Sequence, residues 1–225
     1  VRIDDLLTVP VARLQERFKG REPGVRAEAP LIVRLDGVGF SRLSEFFEAP
    51  RDPRVHRALV EAALVIMRRY GLWGVHVFSD ELNLYLMKSP PYAGRITKLC
   101  SIPASIAAAE ATLRLGIPVY FDGRTVSLSE PCEARDYALF RMRVGLGNYS
   151  RLLAGRLGVS IPERMGLRSL LEKLRERGVR VEADWRSTGS FAYRLQTPEG
   201  RGELRVTEDP GEFLDALNSL CSQDY

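Results

Sequence analysis

The chain predicts an α+β fold, an antiparallel sheet with two helices on one face and a helical and β-hairpin extension. Three observations carry this. Short apolar runs end in acidic turns at Asp36-Gly37 and Ser79-Asp80-Glu81. Two longer segments with helical spacing separate the strands. Together they give the order β-α-β-β-α-β, the split β-α-β arrangement.

Each element has a local reason. Residues 3–18 read as an amphipathic helix, and 31–35 as a strand. Asp52 can cap a helix whose first turn holds Pro53. Val55, Leu59, Ala63, Ile66 and Met67 then recur on one face until Gly71. Residues 74–78 and 82–87 form a hairpin around residues 79–81. Residues 96–115 read as a long helix that Pro103 should bend. Residues 118–121 and 125–128 read as strands around a turn at Asp122-Gly123. Residues 133–157 predict an Arg-rich helix weakened by Gly145 and Gly147, and 167–177 a shorter one. Residues 179–205 alternate like strands, with a turn at 198–200, and Asp209-Pro210 opens a last helix to residue 220. The reading divides the chain into residues 1–130, with the N-terminal helix, and an extension over 131–225 packed on them.

Composition narrows the function classes. Apolar residues make up 45% of 225, enough for a sizeable core. The formal charge is +4, and only four of the 33 basic residues are Lys. Arg forks suit phosphate and stack on bases, although genomic composition produces the same bias. Cys100, Cys132 and Cys221 are far apart and only His56 and His76 are present, which argues against a zinc site and a disulfide framework. The N-terminus lacks the apolar core of a signal peptide, and no apolar run is long enough for a membrane span. A cytoplasmic setting is therefore expected.

The chemistry-bearing candidates sit at the strand ends. Asp36 and Asp80, with the Gly37 carbonyl, offer the hard oxygen ligands that magnesium takes; equally, they are ordinary turn aspartates. Val38, Gly39, Phe40 and Ser41 continue as a loop whose backbone N–H groups can face a triphosphate. Arg95 and Lys98, one turn apart, can face a phosphate chain or solvent. Asp122 and Arg124 read as a turn ion pair or a substrate contact. Arg135, Arg141 and Arg143 suggest a basic strip for RNA or a solvated face. His76, between two valines, reads as a packed or surface histidine.

Taken in order, these stretches resemble a known family. They are Val33-Arg34-Leu35-Asp36-Gly37 with Phe40, Ala49-Pro50 with Asp52, and Phe78-Ser79-Asp80-Glu81. Arg95 with Lys98, Phe121-Asp122-Gly123-Arg124 and Arg135-Asp136-Tyr137 follow. The set is similar to that of the tRNA-His guanylyltransferases and related 3′-to-5′ RNA polymerases, with a weaker echo at Trp185-Arg186 and Gly189-Ser190. The resemblance implies a polymerase- and cyclase-like palm and two magnesium ions on Asp36, the Gly37 carbonyl and Asp80. It makes Glu81 a further catalytic carboxylate. It assigns residues 36–41, Ser79 and Asp80 to the nucleotide, and Arg95 and Lys98 to the triphosphate or the activated RNA end. It implies tRNA, GTP and ATP as partners and a homotetramer. The family's reaction adds a GTP-derived nucleotide to a tRNA 5′ end after that end is activated.

Departures from the pattern are Val38, Ala49 and Leu82, and a 140–148 segment that keeps only Arg141 and Asn148. They mark a divergent, archaeal-type member and leave strict tRNA-His selection or template-directed end repair open. A nucleotide cyclase on the same scaffold and a non-catalytic RNA-binding relative are the alternatives.

Overall fold

The computed structural model describes residues 24–162, 164–195 and 202–221. The expected helix over 3–18 and the turn at 198–200 lie outside them. The elements run β1 (Leu31–Val38), α1 (Pro53–Tyr70), β2 (Gly74–Phe78), β3 (Glu81–Leu86), α2 (Ile96–Leu115) and β4 (Tyr120–Ser127). They continue as α3 (Glu133–Arg156), α4 (Leu167–Glu176), β5 (Ser190–Leu195), β6 (Glu203–Thr207) and α5 (Pro210–Cys221). Short 3-10 turns cover Phe40–Glu45 and Pro91–Gly94. The six strands form one sheet in the order β4-β1-β3-β2-β5-β6, with every neighbouring pair antiparallel.

Strand alternation sends Leu31, Val33 and Leu35 to one face and Ile32 to the other. On the first face, α1 and α2 bury Leu59, Ile66, Met67, Leu99 and Ala107 against the sheet. The other face is covered as well. There Ala138 and Met142 of α3 and Phe213 and Leu217 of α5 pack on Ile32, Tyr85 and Phe191. The sheet is thus the middle of three layers. A smaller core joins Ala154 of α3 to Leu170 and Leu174 of α4.

The capping signals on α1 act as expected. Asp52 accepts from the backbone N–H of Arg54 at 2.7 Å and of Glu48 at 2.8 Å. Gly71 closes the helix with φ 61°, a left-handed conformation that glycine adopts without strain. The Arg54 guanidinium and these backbone donors hold the Asp52 carboxyl well below the usual range.

Three expectations are corrected. Asp122-Gly123 is not a turn: β4 runs unbroken and pairs with β1 over eight positions. Gly123 serves a close helix crossing instead, because a Cβ there would lie 3.0 Å from Cys100 Cβ. Residues 179–189 are not a strand. Val179 and Val181 pack against α4, and Asp184 accepts from the N–H groups of Arg186 and Ser187 to fold a turn ahead of β5. Cys132 and Cys221, read as far apart, are brought side by side, with Cα atoms 4.9 Å apart. They stand 89 residues apart in sequence, and only the packing of α3 and α5 on one sheet face brings them together. Gly145, read as a weak point of α3, marks a close approach. A Cβ there would lie 2.7 Å from the Ser187 carbonyl oxygen and 2.9 Å from the Phe78 ring.

Candidate active site

The register of the central strands assembles an acidic rim. Asp36 stands opposite Glu81 on β3 and opposite Asp122 on β4. Directly opposed residues share a face, so the three carboxylates leave the sheet on the same side. The β2–β3 hairpin turns through Ser79 and Asp80. Ser79 takes φ 54°, uncommon for a residue with a side chain, and its hydroxyl donates to Asp80 Oδ1 at 2.7 Å. The Gly37 N–H donates to the Asp80 carbonyl at 3.0 Å, tying the end of β1 to this turn. A Cβ on Gly37 would lie 2.4 Å from the Phe40 ring and 2.8 Å from Asp80 Cβ, so the approach requires glycine. The loop then bends at Gly39, φ 72°, into the turn that carries Phe40 and Ser41.

This geometry shapes the electrostatics. Burial raises the Asp36 pKa, and the charges of Asp80 and Asp122 raise it further. Arg34 and Arg124 oppose that shift. Repelling carboxylates beside a backbone carbonyl form a set of hard donors suited to a divalent cation. Among the described residues, no group of three or more His, Cys, Asp or Glu side chains forms a metal cluster.

Glu81 does different work. It is buried, and Arg141 of α3 grips it with two hydrogen bonds. Nε donates to Oε1 at 2.9 Å, and Nη2 donates to Oε2. Asn83 Nδ2 also donates to Oε1 at 2.8 Å, and Tyr137 Oη donates to Asn83 Oδ1 at 2.7 Å. Arg34 Nε lies 3.9 Å from Oε2. Burial pushes the Glu81 carboxyl up, against the pull of Arg141 and Asn83. Arg141 is consequently not part of an exposed strip, because its guanidinium is spent inside on Glu81. Arg135 is half-buried, with its Nε lacking a hydrogen-bond partner among the described residues. Of the three, Arg143 alone is exposed. It lines a groove of about 460 Å³ with Arg168, Arg175 and Arg180, which leaves Glu172 outnumbered.

Asp80 and Ser79 open onto a cleft of about 400 Å³. Phe40 and Ser41 line it from the β1 loop, Arg51 and His56 from the start of α1, and Trp185 from the turn before β5. His56 Nε2 lies 2.7 Å from Ser190 Oγ, and its ring stacks on Trp185 with centroids 4.8 Å apart. Arg51, His56 and Trp185 escaped the sequence reading of the site. Their only local signals were a charge just before a helix cap and a Trp-Arg pair. Arg95 and Lys98 are not brought into this cleft. Arg95 Nε donates to the Tyr92 carbonyl at 3.4 Å, and Lys98 Nζ lies 5.7 Å from the Tyr92 ring centroid. Asp122 and Arg124 pair at 3.3 Å along β4.

His76 is fully buried, with Nε2 2.7 Å from the Thr188 carbonyl oxygen. Burial lowers both His56 and His76 to about 4 from an ordinary 6.5. The unfolded chain thus binds more protons than the folded one between those values, and both contributions to stability are lost as pH falls through that window. Asp36 and Glu81, shifted upward, act in the opposite sense. Urea midpoints measured at about pH 7.5 and about pH 5 should therefore fall more steeply in the wild type than in His56→Gln. Equal slopes would contradict this account.

A sheet bearing a helix pair on one face and opposed carboxylates at one rim has a palm-like architecture. A sequence profile of tRNAHis guanylyltransferase matches residues 15–129, just over half of the chain. The chain belongs to that family. It is also 28% identical, over 116 residues, to an uncharacterized protein of Acanthamoeba polyphaga mimivirus. That match covers 46% of this chain and 40% of the relative, so the chain spans less than half of that protein's length. Solved structures share the fold. A bacterial tRNAHis guanylyltransferase-like protein in complex with ATP superposes with a TM-score of 0.73 at 18% identity, covering 87% of this chain and 91% of that one. A bacterial protein of the same description in complex with GTP gives 0.73 at 17%, covering 93% and 99%. The tRNAHis guanylyltransferase of Saccharomyces cerevisiae gives 0.65 at 18%, covering 84% and 95%.

Proposed function

We propose that this protein is a magnesium-dependent nucleotidyltransferase that adds a GTP-derived nucleotide to the 5′ end of tRNA, by guanylylation of tRNAHis or by template-directed end repair. One observation carries the reading: the Gly37 N–H donates to the Asp80 carbonyl, which ties the end of the strand bearing Asp36 to the turn bearing Asp80, and Asp80 lines a nucleotide-sized cleft. Two magnesium ions on Asp36, the Gly37 carbonyl and Asp80 would favour the deprotonated 3′-hydroxyl of GTP and offset charge on the leaving group. The protein's part is placement. Asp36 and Asp80 fix the donors, the Gly37–Asp80 hydrogen bond sets their spacing, and Glu81, locked by Arg141, holds the hairpin. The new bond joins the GTP 3′-oxygen to the 5′ phosphorus of the RNA. The bond that breaks releases AMP or GMP from an activated 5′-monophosphate end, or pyrophosphate from a triphosphate end.

Residues 1–130 form the catalytic unit in this reading, and residues 131–225 the extension. The Arg143 groove offers an anionic RNA backbone a positive rim. Arg95 and Lys98, outside the cleft, are left for the activated RNA end. The ATP and GTP complexes of the bacterial relatives support both nucleotides as ligands. A homotetramer and a cytoplasmic setting belong to the same reading. Among the described residues, no helix is long and apolar enough to cross a membrane.

Labelled GTP offered to 5′-monophosphorylated and 5′-triphosphorylated tRNAHis, with and without ATP, tests it. The expected result is magnesium-dependent addition to the triphosphorylated end without ATP, and stimulation by ATP on the monophosphorylated end. No addition to either end, or a cyclic product from GTP alone, would overturn the reading.

A further inference from the structure

We propose that Arg51 is a phosphate-binding residue of the cleft, gripping the triphosphate of the nucleotide whose metal ions sit on Asp36 and Asp80. This rests on the function proposed above and deepens it. Among the described residues lining the cleft, Arg51 is the only side chain with a permanent positive charge. Ala49, two residues earlier, lines the same cleft and carries none. His56 is held neutral at physiological pH by burial.

Among the described residues, the guanidinium has no acceptor to match its charge: Nε is buried without a hydrogen-bond partner, and Nη1 donates to the Pro50 carbonyl at 3.4 Å. Among the described residues no carboxylate forms a hydrogen bond or ion pair with it, and Asp52 is taken by Arg54 and by backbone N–H groups. Burial lowers the Arg51 pKa, and the groups that raise it are Asp80 and Tyr149. A half-buried guanidinium without a carboxylate, in the cleft that holds Asp80, is matched by an anion arriving with the ligand. The lining of the cleft offers partners to both parts of a nucleotide. His56 and Trp185 form an aromatic pair suited to a base, whereas Ser79 and Asp80 belong to the proposed metal site. A guanidinium complements the triphosphate rather than the base, and Arg51 lines the same cleft as Asp80.

The test measures GTP binding by equilibrium dialysis with calcium in place of magnesium to prevent turnover. Guanosine and inorganic tripolyphosphate serve as competitors, and the proteins are wild type, Arg51→Ala and Arg51→Lys. Arg51→Ala should weaken GTP and tripolyphosphate by about 10- to 100-fold and leave competition by guanosine unchanged. Arg51→Lys should recover most of the loss, which a purely structural role would not predict. Unchanged GTP affinity in Arg51→Ala, or equal weakening of guanosine, overturns the assignment while leaving the proposed function standing. Failure of the wild type to bind GTP overturns both.

Discussion

Replacing Asp80 by alanine should abolish GTP addition, by about a thousandfold or more, while leaving the fold and tRNA binding intact. The carboxylate is half-exposed at the tip of the hairpin and its side chain contributes nothing to the two sheet-face cores. The backbone carbonyl that receives the Gly37 N–H stays in place. The substitution thus deletes one carboxylate and the Ser79 hydrogen bond to it, and keeps the backbone bond that ties the turn to β1. Single-turnover addition of labelled GTP, alongside circular dichroism and a tRNA shift assay, separates these effects. Turnover at the wild-type rate would remove the proposed metal site. Loss of tRNA binding would show that the carboxylate shapes the protein rather than the chemistry.

Replacing Arg141 by alanine should cost stability, at about 3–5 kcal/mol. The partner of Arg141 is a carboxylate with 5% of its side chain exposed. Removing the guanidinium leaves that charge buried with Asn83 as its remaining close donor and Arg34 at 3.9 Å. For a chain of this length the melting temperature should drop by roughly 10 °C. Adding Glu81→Gln should return part of the loss, because an amide buried in the same place carries no charge to compensate. A melting temperature within a degree or two of the wild type would contradict the ion pair's role.

Much of the first half of the chain was legible because its signals are local. Asp52-Pro53 and Gly71 bracket α1 within the sequence itself. The apolar runs 31–35, 74–78 and 82–87 mark the strands, and antiparallel pairing of β3 with β1 and β2 brings Asp36 and the turn at Asp80 to the same rim. The misreadings share the opposite property. Gly123 carries the turn signal of any Asp-Gly pair, but its real constraint is Cys100 on a helix that crosses it. Arg141 looks like a surface cation until Glu81, 60 residues earlier, is found beneath it. Cys132 and Cys221 look unrelated until two helices settle on one face. Arg51, Trp185 and His56 meet only through the tertiary fold, so no spacing in the sequence could have grouped them.

The grip of Arg141 on Glu81 also bears on how this protein is partitioned. The family match ends at residue 129, and Arg141 lies beyond it. The matched segment therefore holds a buried carboxylate whose hydrogen-bonded cation comes from the helix that follows it. Phe78, at the end of β2, is likewise roofed by Gly145. A fragment cut where the profile match stops would therefore lose both the cation that faces Glu81 and the helix that covers Phe78.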